Sequence, residues 1–162
     1  MTEKRVAIVT GGTRGMGQAI SIELAKRGNI VCAAYRSNEE SAKETLKKIQ
    51  EFAPESGVYK VDVSQEQEIK RFVSEIGTKF GRIDILVNNA GIFDFRFMDE
   101  MDGEYLDRVL NTNFKSQFFM LQNAAEYMKK NHYGRVANAS SISGRFADCG
   151  LVAYAASKAG VD

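Results

Sequence analysis

Short apolar runs alternate with longer amphipathic ones along the whole chain. Val6-Ala7-Ile8-Val9 precedes a helical pattern from Ala19 to Lys26, Val31 to Ala34 precedes one from Ser41 to Phe52, and Val58 to Val63 precedes one from Gln65 to Phe80. Ile83 to Val87 then leads into a long helical stretch from about Asp102 to Asn131, and Arg135 to Ala139 reads as a fifth strand. Strand and helix in regular turn predict a parallel sheet with helices on both faces. Ile69, Phe72, Val73, Ile76 and Phe80 fall at helical spacing on one face, and Ser64 is the expected N-cap of that helix. On the long helix, Phe114, Phe118, Phe119, Leu121, Ala125 and Met128 form a broad apolar surface, expected to be core plus subunit interface. The one proline, Pro54, closes the second helical pattern with a turn.

Composition narrows the class. With 162 residues, 44% hydrophobic and 27% charged, the chain is expected to form a single soluble domain over 1–162 with a sizeable core. Lys and Arg total 22 against 21 acidic residues, and a net charge of +1 gives no electrostatic reason to expect nucleic acid or an anionic membrane as partner. The N-terminus, Met1-Thr2-Glu3-Lys4-Arg5, runs straight into the first strand with no signal-peptide core, and no membrane-length apolar stretch occurs downstream, so a cytoplasmic location is the expectation. Cys32 and Cys149 lack CxxC spacing and the one histidine, His132, lies in a polar turn, which argues against a metal site or a histidine triad. Cys32 is expected to pack in its strand as a small hydrophobe, and Cys149 falls in a loop ahead of Tyr154.

Two segments carry chemistry. Thr10-Gly11-Gly12-Thr13-Arg14-Gly15-Met16-Gly17 joins the first strand to the first helix. Glycines there permit a tight turn and let backbone N–H groups approach a pyrophosphate at a helix N-terminus; a plain glycine-rich turn is the alternative. Tyr154-Ala155-Ala156-Ser157-Lys158 places a phenol and an ammonium at i and i+4 on one helix face, where the charge favours the phenolate. That spacing is common on surface helices and weak evidence alone.

The glycine spacing, Gly-x-x-x-Gly-x-Gly, resembles that of the classical short-chain dehydrogenase/reductase family, and further landmarks stand in the family's order. These are Asp62-Val63 after the third strand, Asn88-Asn89-Ala90-Gly91 after the fourth, Asn113 in the long helix, and Ser141 ahead of Tyr154 and Lys158. The resemblance implies a Rossmann-like, doubly wound α/β fold and hydride transfer between a nicotinamide cofactor and a carbonyl or secondary alcohol. Tyr154 would act as the acid, Ser141 would bond the same substrate oxygen, and Lys158 would lower the tyrosine pKa while holding the nicotinamide ribose. Asn113 would support a water joining Lys158 to solvent. Ser140 is expected to brace the loop instead. Gly11, Thr13, Arg14, Gly15, Met16 and Gly17 would cradle the phosphates, Asp62 and Val63 the adenine, and Asn89, Ala90 and Gly91 the adenosine and ribose. Asn88 stays open between fastening neighbouring loops and touching the cofactor.

The second strand ends Tyr35-Arg36-Ser37 with no carboxylate at Tyr35, so Arg36, Ser37 and Arg14 are expected to take the extra phosphate of NADP(H), ahead of NAD(H). Members normally continue past the Tyr-Lys helix, whereas this chain stops at Asp162 inside that helix; the C-terminal strands are expected to be missing and the chain to be a piece of a longer reductase. In that longer form the resemblance implies a homodimer or homotetramer acting on a small carbonyl compound, with 3-oxoacyl thioesters, as in 3-oxoacyl-[acyl-carrier-protein] reductases, the leading class. Sugars or polyols and steroid-like alcohols stay open, as does a nucleotide-binding scaffold without turnover. The stretches Ile92 to Met98 and Arg145 to Cys149 should border the substrate pocket.

Overall fold

The computed structural model describes residues 4–146 and 148–162; Met1 to Glu3, and Ala147 of the expected pocket border, lie outside the described residues. Five strands, β1 (Val6–Thr10), β2 (Ile30–Tyr35), β3 (Gly57–Lys60), β4 (Ile85–Asn88) and β5 (Arg135–Asn138), pair in the order β3-β2-β1-β4-β5. Every pairing is parallel, with Ile8 opposite Cys32 on one side and Leu86 on the other. The helices are α1 (Gly15–Lys26), α2 (Glu39–Gln50), α3 (Glu66–Phe80), α4 (Gly103–Leu110), α5 (Ser116–Lys130) and α6 (Val152–Ala159). This is the parallel α/β arrangement that the alternation predicts and the Rossmann-like fold that the resemblance implies.

Both faces of the sheet are covered, which explains why its central strands are apolar throughout. Val6, Ile8, Cys32, Ala34 and Leu86 pack with Ile69, Phe72, Val73 and Ile76 of α3 and Met120, Ala124 and Met128 of α5. Val9, Val31 and Ala33 face the other way, against Ala25 of α1 and Ile49 of α2. Asp84, fully buried, ties the strands together at their base: it accepts from Val6 N at 2.8 Å and from Arg82 Nε and Nη2 at 2.8 Å each. β5 stands at one edge of the sheet, opposite β3, with all four residues exposed.

Several boundaries differ from the sequence reading. β3 stops at Lys60 because Asp62 turns out of the ladder, its N–H donating to Glu68 Oε2 at 2.8 Å. Ser64 is not the N-cap of α3: its N–H and hydroxyl both donate to Asp62 Oδ1, at 3.0 and 2.7 Å, and Gln65 takes the cap position without a side-chain bond. α2 begins before Ser41, because Asn38 Oδ1 accepts from Ser41 N at 2.9 Å. α6 ends at Ala159, short of Asp162. The long helix is interrupted between α4 and α5 by one π turn, Asn111–Lys115. Its expected apolar surface divides, Met128 joining the core while Phe114, Phe118 and Leu121 are exposed.

Candidate active site

β1 connects onward to β2 on one side and pairs with β4 on the other, so strand order reverses beside it, and crevices form at such switch points beyond the strand ends. A cleft of about 350 Å³ lies there. Segments at the ends of four strands line it: Gly11 and Thr13 to Gly17 after β1, Arg36 and Ser37 after β2, Asp62 and Val63 after β3, and Asn89, Ala90 and Gly91 after β4. Every residue expected to bind the cofactor, apart from Tyr154 and Lys158, thus borders one cavity.

The glycine turn is pinned in place from β4. Thr10 Oγ1 accepts from Asn89 N and Ala90 N at 3.0 Å each, while Asn89 Nδ2 donates to Thr10 O at 3.0 Å and Gly11 O at 3.2 Å. Gly17 packs so closely on this junction that a Cβ there would run into Gly11 O and lie 2.5 Å from Asn89 Nδ2. Helix α1 therefore meets the turn directly. Arg14 at its N-cap makes no side-chain bond and its first turn carries no acidic residue, whereas α2 and α4 are capped by Asn38 and Asp102. Unsatisfied first-turn N–H groups at the rim of the cleft suit a phosphate. The cleft, the close-packed glycines and the uncapped helix fit the dinucleotide implied by the resemblance. At the far end Asp62 binds Ser64 through Oδ1 alone, leaving Oδ2 without a protein partner among the described residues. Arg14 and Arg36 are exposed and form no ion pair among the described residues.

The remaining site residues gather at the Gly91 end. A Cβ on Gly91 would lie 3.3 Å from Asn113 Oδ1 and 3.7 Å from Lys158 Nζ, so this glycine joins the cleft to the acid–base group. Lys158 is 4% exposed, and burial pushes its pKa down from the ordinary lysine value. Its Nζ donates to Ala139 O at 2.6 Å and stands 5.7 Å from the centroid of the Tyr154 ring. Phe93 packs against the same ring, with centroids 5.1 Å apart at 79°. Asn113, fully buried, uses its whole carboxamide: Oδ1 accepts from Ile92 N at 2.8 Å, and Nδ2 donates to Ile92 O at 2.9 Å and Ser157 Oγ at 3.1 Å. It thereby ties the loop after β4 to α6. Ser141 Oγ accepts from Ser143 N at 3.2 Å, which leaves its own hydrogen to donate elsewhere. Ser140 donates to Lys158 O at 3.4 Å, the bracing role expected of it.

Asn88 is resolved in favour of fastening: it is buried outside the cleft lining, and Nδ2 donates to Asn138 Oδ1 at 2.9 Å. Ile92, which the sequence reading placed at the substrate pocket, and Thr112, which it passed over, also line the cleft. Thr112 Oγ1 is buried with no partner among the described residues. Its place beside Asn113 was the only signal for it. Phe93, Phe95, Phe97, Met98 and Phe146 are exposed, and the backbone of Arg96 donates to Gly150 O at 3.0 Å, tying the first stretch expected to border the substrate to the residue that follows the second.

A family model described as short chain dehydrogenase matches residues 5–162. A 3-oxoacyl-[acyl-carrier-protein] reductase of Staphylococcus aureus is 34% identical over 161 residues, covering 99% of this chain and 65% of that protein. An acetoacetyl-CoA reductase of Shinella zoogloeoides is 39% identical over 158 residues, 96% of this chain and 63% of that one. Among solved structures, a variant of a Serratia marcescens short-chain dehydrogenase/reductase superposes with a TM-score of 0.90 at 32% identity, over 97% of this chain and 64% of its own. The chain thus spans under two thirds of the length of these relatives. Because the family match runs through the glycine turn and the Tyr154–Lys158 helix alike, the similarity takes in both ends of the site, and the chain belongs to the short-chain dehydrogenase/reductase family.

Proposed function

We propose that the protein carrying this chain transfers hydride between NADP(H) and a carbonyl or secondary alcohol, with 3-oxoacyl thioesters as its substrate class. One observation carries the reading: a lysine buried with no carboxylate partner among the described residues, held by Ala139 O beside Tyr154, where the glycine-lined cleft ends. Burying an ammonium is costly, and such a group beside a phenol is expected where charge must be managed.

Bound in the cleft, the nicotinamide supplies the hydride that a carbonyl carbon accepts. Tyr154 donates its proton as charge builds on the carbonyl oxygen, and Ser141 gives its free hydrogen to the same atom. Lys158 has two N–H bonds beyond the one to Ala139 O; these serve the nicotinamide ribose and the phenol, whose oxyanion the ammonium stabilises. Asn113, its carboxamide already engaged by Ile92 and Ser157, supports the water that returns a proton to Lys158 from solvent through the second lone pair of its backbone carbonyl. Gly11, Thr13, Gly15, Met16 and Gly17 hold the phosphates with the start of α1, Asp62 Oδ2 and Val63 the adenine, and Asn89, Ala90 and Gly91 the adenosine and ribose.

The preference for NADP(H) rests on Arg14, Arg36 and Ser37, which border the cleft beyond β2, with no carboxylate at Tyr35. The exposed aromatic rim from Phe93 to Phe97 suits an apolar acyl chain, and both curated relatives are named for 3-oxoacyl thioesters. The exposed Phe114, Phe118 and Leu121 support a homodimer or homotetramer, with the cytoplasm as its location. The test is loss of NADPH absorbance with acetoacetyl and longer 3-oxoacyl thioesters, alongside Arg36→Ala, which should cut the preference for NADPH over NADH about tenfold or more. A protein that binds NADPH yet never oxidises it across thioesters, ketones and sugars would be a nucleotide-binding scaffold, and the proposal would fail.

A further inference from the structure

The π turn between α4 and α5 has its own set of donors. Ser116 N–H bonds Asn111 O, five residues back, so the backbone bonds of the helix are displaced by one position there. Side chains supply the next two carbonyls: Ser116 Oγ donates to Thr112 O at 2.6 Å, and Gln117 Nε2 donates to Asn113 O at 2.8 Å. Both residues are buried, 3% and 5% exposed. The next buried positions on α5 are Met120, Ala124 and Met128, so polar groups interrupt an apolar face only at the turn. Gln117 Oε1 has no partner among the described residues, and a methionine of similar shape would remove that unsatisfied acceptor. What the amide provides in return is its bond to Asn113 O.

We propose that Ser116 and Gln117 are positioning residues. Their side-chain donors hold the π turn open, and the open turn seats Asn113 so that its carboxamide clasps Ile92 and Ser157 at the Gly91 junction with Lys158. Ser/Thr and amide side chains that bond a carbonyl four residues back compete with the regular helix ladder, which is how a local sequence of this kind favours the wider turn. The effect on turnover rests on the function proposed above; the seating of Asn113 does not.

The experiment compares the parent with Ser116→Ala, Gln117→Met and the pair, and uses Ser116→Thr, which keeps the hydroxyl, as rescue. In the pair kcat should fall about 10- to 100-fold, as misplacement of an active-site group commonly produces. NADPH affinity should stay within about twofold, Ser116→Thr should behave as the parent, and the Asn113 side-chain amide signal should shift in the 15N–1H spectrum. If kcat and the Asn113 signal are unchanged while the melting temperature drops, the residues serve packing only and the inference is overturned. If the parent itself turns over no carbonyl compound, the proposed function fails, and the Asn113 signal alone decides this inference: an unshifted signal overturns it and a shifted one supports it.

Discussion

Replacing Gly17 by alanine adds one methyl group at the tightest point of the glycine turn. That Cβ would collide with Gly11 O, and would lie 2.9 Å from Gly11 C and 2.5 Å from Asn89 Nδ2. Two of these atoms are backbone and cannot rotate away. The third can move only by giving up the bonds of Asn89 to Thr10 O and Gly11 O. Overpacking of this kind costs about 1–3 kcal/mol. In a chain of 162 residues it should lower the melting temperature by roughly 2–12 °C. If the strain is relieved by displacing the turn, the state that accepts the dinucleotide becomes rarer by the same free energy, and NADPH should bind about 5- to 150-fold more weakly. Gly28→Ala is the control. Gly28 has φ +81 and nothing within 4 Å of a built Cβ, so alanine there meets about 1–2 kcal/mol of backbone strain well away from the cleft lining. Thermal melts and NADPH titration by fluorescence on both variants separate the two effects. The reasoning is refuted if Gly17→Ala binds NADPH as the parent does, or if Gly28→Ala loses binding equally.

Other substitutions probe the rest of the framework. Burial holds the Lys158 pKa below its ordinary 10.5, so between the lowered value and 10.5 the unfolded chain carries a proton that the folded chain lacks. Stability should therefore rise with pH through that window, and Lys158→Met should abolish its share of the rise; parallel urea-midpoint profiles for parent and variant would contradict this. Cys149 is exposed while Cys32 is fully buried with its thiol pushed up to about 12 by burial, so a thiol reagent should label Cys149 alone in the native protein and both in urea. Arg82→Met would leave the Asp84 carboxylate buried without its bidentate partner and should cost about 3–5 kcal/mol in chemical denaturation; a loss under about 1 kcal/mol would show that the pair is replaceable.

The sheet was legible because its central strands are buried on both faces and so appear as uninterrupted apolar runs, such as Val31-Cys32-Ala33-Ala34. The glycine turn and the Tyr154–Lys158 pair stood out through landmarks set in the family's order, since an i, i+4 pair alone is common on surface helices. What stayed hidden arose from competition between side chains and backbone. Ser64 has the look of a helix cap, but Asp62 claims both its donors. The start of α1 was missed because Gly15-Met16-Gly17 shows no apolar periodicity, its exposed side facing the cleft. A 3.6-residue period runs smoothly through Asn111 to Lys115 and cannot reveal an inserted π turn, so Thr112, Ser116 and Gln117 gave no sign of their positions.

The open rim of β5 bears on handling as much as on fold. Among the described residues β5 pairs with β4 alone, so its outer row of N–H and C=O groups has no strand beside it, and such a row templates the addition of any extended segment. Arg135 is the one charge along it, and a net charge of +1 supplies almost no repulsion between copies. That rim is accordingly a route to association of this chain on its own, and aggregation through it should grow with concentration and be suppressed by a strand that pairs there.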